Sequence, residues 1–140
     1  MINGTITNKL LVLDVQLEEL NSLGSITIAQ LEAEWQTRKA IERSLHIAAE
    51  VVIDVCNRIL AVTGQTPANT SRDAIKRCIT MGVLSDYEPY EKMVQFRNFI
   101  VHNYDKIDNA ILVTMVNRNL GDFEQFRDEV LEYANQQTED

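Results

Sequence analysis

Only two prolines and five glycines punctuate the 140 residues. That scarcity argues against a β architecture, whose many turns depend on those residues. The strict apolar–polar alternation of a half-buried strand is missing as well. No apolar run approaches the roughly 20 residues of a membrane span. The opening "MINGTITNKLL" lacks the basic start and apolar block of a signal peptide, so a cytoplasmic location is expected. Cysteine is confined to Cys56 and Cys78, without CxxC spacing; this excludes a disulfide framework and points to two core thiols. Positive charge is also short, with 13 Lys and Arg against 21 Asp and Glu and a net charge of -8. Such a balance argues against a broad nucleic-acid face, so any RNA is expected at a focused site or on a surface that two subunits make together.

What is present is helical periodicity. Ile6, Leu10, Leu13, Leu17 and Leu20 follow the 3–4 spacing of one helix face, and Gly24 is the expected stop. A second, unusually long helix is predicted from near Thr27 to Gly64, with Leu31, Trp35, Ile41, Leu45, Ala48, Val52, Val55 and Ile59 as its buried stripe. "TGQTPANTS" is the main break, and Thr70 with Asp73 three residues on resembles a capping box for a short third helix ending at Gly82. A fourth helix is expected from "SDYEPYEK", capped by Ser85 or Asp86, with Pro89 in its first turn. Asp108 should cap a fifth, and Gly121 with Asp122 should separate it from a sixth that carries Phe123, Phe126, Val130 and Tyr133 on one face. The expectation is a single all-α domain over residues 1–137, a bundle of five to six helices, with 138–140 a frayed tail.

Chemistry has few places to reside. Nucleotide-binding and metalloprotease signatures are absent, and His46 and His102 are the only histidines. Glu42, His46 and Glu50 recur every four residues, a spacing that could bring three ligands toward one metal, but the Glu-x-x-His of di-iron bundles is lacking. They read instead as a polar strip, and no metal is expected. Arg72, Lys76 and Arg77 are the one basic concentration, either a solvated helix face or a phosphate-attracting rim for RNA. "RNFIVHNY", residues 97–104, sets polar groups into an apolar helix. At 100° per residue Arg97 and His102 lie about 140° apart, so one intact helix does not aim both at one point. The residue types suit RNA cleavage: an imidazole to move a proton at the 2′-hydroxyl or the leaving 5′-oxygen, and a permanent cation to hold the phosphate. A two-fold dimer with this helix at its interface would bring two copies together.

Arg97, His102 and Tyr104 match the R-x4-H-x-Y motif of HEPN-domain toxins of the HepT type, and the polar Asn98 after the arginine fits as well. "AIERSLHIAAEVVIDV" and "FRNFIVHNY" are similar to that family, and the helix order resembles it over nearly the whole chain. The resemblance implies a HEPN-like bundle and a metal-independent endoribonuclease that needs no cofactor. It implies a homodimer with both motifs lining one interface cleft, and cellular RNA, transfer RNA foremost, as substrate. It further implies a type VII-like toxin–antitoxin pair, in which a minimal nucleotidyltransferase antitoxin (MntA type) attaches AMP to the motif tyrosine, here Tyr104. Arg97 and His102 would then be catalytic, Asn98 and Asn103 supporting, and Glu42 with Arg43 cleft-lining. The alternative is a non-catalytic helical module that binds a nucleotidyltransferase and presents its substrate. Growth arrest on expression without the neighbouring gene separates the two.

Overall fold

The computed structural model describes residues 4–102 and 107–139. Among these, seven α-helices and no strand are found: α1 (Gly4–Asn21), α2 (Ile28–Ala33), α3 (Trp35–Val62), α4 (Ser71–Thr80), α5 (Glu88–His102), α6 (Asn109–Arg118) and α7 (Leu120–Glu139). None of these helices is long and apolar enough to cross a membrane.

The α1 stripe is buried as its spacing predicts, with Ile6, Leu10, Leu13, Leu17 and Leu20 all inside. It packs on α3, which touches every other helix and is the pillar of the bundle. Ile41, Leu45, Ala48, Val52, Val55 and Ile59 of α3 are buried among side chains from all the surrounding helices. Each large aliphatic side chain so enclosed contributes roughly 1.5–3 kcal/mol of hydrophobic stabilisation. Cys56 and Cys78 are buried free thiols, and Cys78 Sγ lies 3.7 Å from the Cys56 carbonyl oxygen to which it donates.

Helices α3 and α4 stop by the same device. The Gln65 N–H donates to Leu60 O at 2.9 Å and the Gly64 N–H to Ala61 O, while Val83 and Gly82 repeat the pattern on Cys78 and Ile79. This closure needs a left-handed residue, and Gly64 (φ 76) and Gly82 (φ 83) supply it without a Cβ clash. Thr70 caps α4 by accepting from Asp73 N at 3.0 Å, and Asp73 returns a bond to Asn69 N, one residue before the cap. Asp108 caps α6 by accepting from Ala110 N.

Three boundaries differ from the sequence reading. The predicted long second helix is two helices, because Glu34 leaves helical geometry (φ -123, ψ 78) after a one-and-a-half-turn α2 that Thr27 caps. The turn rotates Trp35 out of the stripe, and the indole is 63% exposed with Lys39 5.5 Å from its ring centre. The split accounts for seven helices where five to six are expected. Helix α5 begins at Glu88; Ser85 does not cap it but donates from Oγ to Glu129 Oε1 at 2.6 Å, tying the loop to α7. Gly121 and Asp122 do not separate α6 from α7. Asn119 alone breaks the chain, and Asp122 lies in the first turn of α7, accepting from Asn119 Nδ2.

Candidate active site

Arg97 sits on α5 where that helix packs against α3 and α4. A guanidinium that is largely withdrawn from water needs charged or polar partners on each withdrawn edge. Its Nε donates to Glu50 Oε1 of α3 at 2.8 Å, and Nη1 donates to Ser71 Oγ at the start of α4 at 3.1 Å and to Asn98 Oδ1 at 3.4 Å. The arginine is thus held across three helices. The same Glu50 oxygen lies 3.5 Å from His46 Nε2, one turn earlier on α3.

A second clamp lies lower on α3. Arg38 donates from Nε to Asn109 Oδ1, from Nη2 to the Ile107 carbonyl and from Nη1 to Glu42 Oε2 at 2.9 Å. It joins α3 to the first residues of the chain beyond the motif. Arg97 therefore stands at the Glu50 level of α3 and Ile107 at the Arg38 level, about three turns lower. His46 lies between the two clamps and is half-buried, as is Glu42 of the lower clamp.

His102 is the last residue of α5 and is exposed. The helix stays intact from Arg97 to His102, so the separation of about 140° holds: Arg97 turns toward α3 and α4, and His102 turns away from them. On the His102 side, Gln95 and Phe99 line a groove of about 460 Å³ against Ile111, Met115 and Asn119. The structure thus unites Arg97 with Asn98, Glu50 and His46, but it does not bring His102 to Arg97 within one subunit. Asn103 and Tyr104 lie outside the described residues.

The remaining sequence candidates have defined places. Glu42 pairs with Arg38, while Arg43 is exposed beside it. Arg72 donates from Nε to Tyr87 Oη at 2.9 Å, and Lys76 lies over the Tyr87 ring. Arg77 turns to the other flank of α4, to Thr66 and Asp73. The three basic residues therefore form two small groups rather than one patch. Sequence reading missed Ser71 and Arg38 and gave Glu50 no role with Arg97. A half-buried arginine implies a carboxylate partner, but a bond spanning 47 residues is invisible to periodicity.

A profile of the ribonuclease HepT-like family matches residues 13–130, from the middle of α1 into α7. The mRNA nuclease HepT of Shewanella oneidensis is 28% identical over 102 residues, covering 71% of this chain and 77% of that protein. In overall structure the chain is similar to the tri-AMPylated HEPN toxin of Shewanella oneidensis solved in complex with MNT antitoxin. The TM-score is 0.81 at 24% identity, over 94% of this chain and 99% of the toxin. YutE, a cytosolic protein of unknown function from Bacillus subtilis, gives a TM-score of 0.79 at 17% identity, over 96% and 91% of the two chains. The toxin structure establishes the HEPN-type fold. With the family profile running from α1 into α7 and enclosing the whole arginine–histidine helix, the chain belongs to the HepT-like ribonuclease family.

Proposed function

We propose that this protein is a metal-independent endoribonuclease toxin, active as a homodimer and silenced by a nucleotidyltransferase antitoxin. The observation that carries the reading is the placement of Arg97 and His102. The arginine is fixed by Glu50 and Ser71 with its charge directed across the α3–α5 junction, and the histidine is exposed on the opposite side of the same helix. Arg97 binds the scissile phosphate and stabilises the charge that grows on it; His102 moves a proton. Because the two diverge within a subunit, a two-fold partner completes the cleft. Exposed Val101, next to His102, is apolar material for that contact.

Tyr104 is the acceptor of AMP from an MNT-type partner. Phosphates added there place negative charge where an RNA backbone must lie, so modification blocks substrate rather than the fold. Asn98 positions Arg97, consistent with their contact, and Asn103 supports the same cleft. Arg72 and Lys76 draw RNA toward the α4 flank. Transfer RNA is the proposed substrate class; the Shewanella oneidensis relative is named an mRNA nuclease, which makes messenger RNA the competing class.

Purified protein is expected to cleave RNA in EDTA and leave 2′,3′-cyclic phosphate ends. Arg97→Ala and His102→Ala should each lower the rate at least about 10²-fold with an unchanged circular-dichroism spectrum, and each should relieve growth arrest. Full activity in either variant, or loss of activity in EDTA, overturns the reading. Sequencing of the cut ends decides between transfer and messenger RNA. Incubation with the partner and ATP should raise the intact mass by whole AMP units, and Tyr104→Phe should abolish the increase.

A further inference from the structure

We propose that His46 is the second proton-transfer group of this site, oriented by Glu50; the inference rests on the ribonuclease reading above. Cleavage that forms a 2′,3′-cyclic phosphate requires two proton movements: one leaves the 2′-hydroxyl as it attacks phosphorus, and one reaches the 5′-oxygen as the P–O5′ bond breaks. With one His102 at each composite site, a single imidazole does not readily perform both in one turnover. A second imidazole stands beside the Arg97 anchor, half-buried on α3. His46 lies between the two clamps that α3 makes with the motif segment, Glu50 with Arg97 above it and Arg38 with Ile107 and Asn109 below. His46 is one turn, about 6 Å along the axis of α3, from the Glu50 that anchors Arg97.

The contact with Glu50 sets the chemistry. Glu50 Oε1 is 3.5 Å from His46 Nε2 and accepts from Arg97 Nε at 2.8 Å. A carboxylate at Nε2 favours the tautomer that carries its proton there and leaves Nδ1 as the free base. The same carboxylate fixes the guanidinium that holds the phosphate, so base and phosphate ligand share one anchor. The step balances: Nδ1 of His46 takes the 2′-hydroxyl proton, the 2′-oxygen bonds to phosphorus, the P–O5′ bond breaks, and His102 gives its proton to the leaving oxygen. Exchange with water then resets both imidazoles.

The charged residues one turn from His46 on its own helix are Glu42, Arg43 and Glu50, and Arg43 is exposed. On α3, Glu42 and Glu50 stand one turn to either side, with Glu42 already paired to Arg38. From α5, Arg97 faces it through Glu50. From α4, uncharged Ser71 accepts from Arg97, while Arg72 and Arg77 are turned to Tyr87 and to Thr66 and Asp73.

The test is the pH–rate profile of RNA cleavage by the full-length protein. Wild type should give a bell, and His46→Asn should lower kcat about 10²–10³-fold with KM little changed and remove the acidic limb. His102→Ala should remove the alkaline limb of any residual rate. In His46→Gly, added imidazole should restore part of the rate, which a purely structural side chain would not allow. An unchanged profile in His46→Asn, or no rescue in a folded His46→Gly, overturns the assignment while Arg97→Ala and His102→Ala still support the nuclease. Wild-type protein without cleavage removes both.

Discussion

Tyr90 is wholly buried on α5 yet carries a hydroxyl, and it satisfies that hydroxyl by donating to Glu129 Oε2 of α7 at 3.1 Å. Its ring meets Phe126 edge-on, with centroids 5.8 Å apart. Burial first, and then the negative charge of Glu129, raise the Tyr90 phenol above its ordinary range. The Cys56 thiol is raised too, by its hydrogen bond with Cys78 and then by burial. Both are acids kept neutral in the fold, so above their ordinary pKa values of 9.0 for the thiol and 10.0 for the phenol the unfolded chain has released protons that the native one retains. Their contribution is therefore complete at neutral pH and is lost as the pH rises past about 9. Urea unfolding at stepped pH should show that alkaline decline. Tyr90→Phe should flatten it while costing about 1 kcal/mol at pH 7, since Glu129 keeps Ser85 and Gln125. An equally steep decline in the variant refutes the assignment. The cysteines were legible as core thiols from residue type and helical position. The Tyr90–Glu129 pair was not, because its partners are joined only by the packing of α5 on α7.

At the scale of elements, periodicity located each helix face but not each break. Leu31 and Ile41 are buried as the stripe predicts, although the helix that was to carry both is interrupted between them. The interruption at Glu34 has no glycine or proline to announce it. Its causes are tertiary: α2 packs on both α3 and α6, while Arg38 draws the start of α3 to Ile107 and Asn109. Trp35, the one tryptophan, tests this directly. Its native fluorescence should be that of an exposed indole, quenched by iodide nearly as well as in urea. Trp35→Ala should change stability by less than about 0.5 kcal/mol, whereas Leu31→Ala should cost about 2–5 kcal/mol. A shielded, blue-shifted emission in the isolated monomer contradicts the break. Thr70 and Asp108 are caps readable from local chemistry, whereas Ser85 is claimed by Glu129 of α7 instead of capping α5; Thr70→Ala should cost about 1 kcal/mol.

At the scale of the whole molecule, the proposed RNA substrate is an anion on an acidic protein, and within one subunit Arg97 and His102 point apart. The proposed site residues Arg97 and His102 stand out in sequence because a short spacing carries them; the frame around Arg97 does not, since Glu50 and Ser71 come from other helices. The angular reading of Arg97 and His102 survived, because α5 remains helical through His102. That geometry makes a specific demand on the assembly. If each working site takes its arginine from one subunit and its histidine from the other, two inactive variants should complement each other. In a mixed dimer of Arg97→Ala and His102→Ala, one site lacks both groups and the other regains both. Random mixing gives about half mixed dimers by two-fold symmetry, each with one working site, so about a quarter of wild-type activity should return. Co-refolding equal amounts of the two variants and assaying RNA cleavage measures this against each variant alone. If the mixture stays as inactive as its components while mass spectrometry shows that mixed dimers have formed, each subunit works within itself. His102 would then have to reach Arg97 around its own helix, and the composite cleft would be wrong.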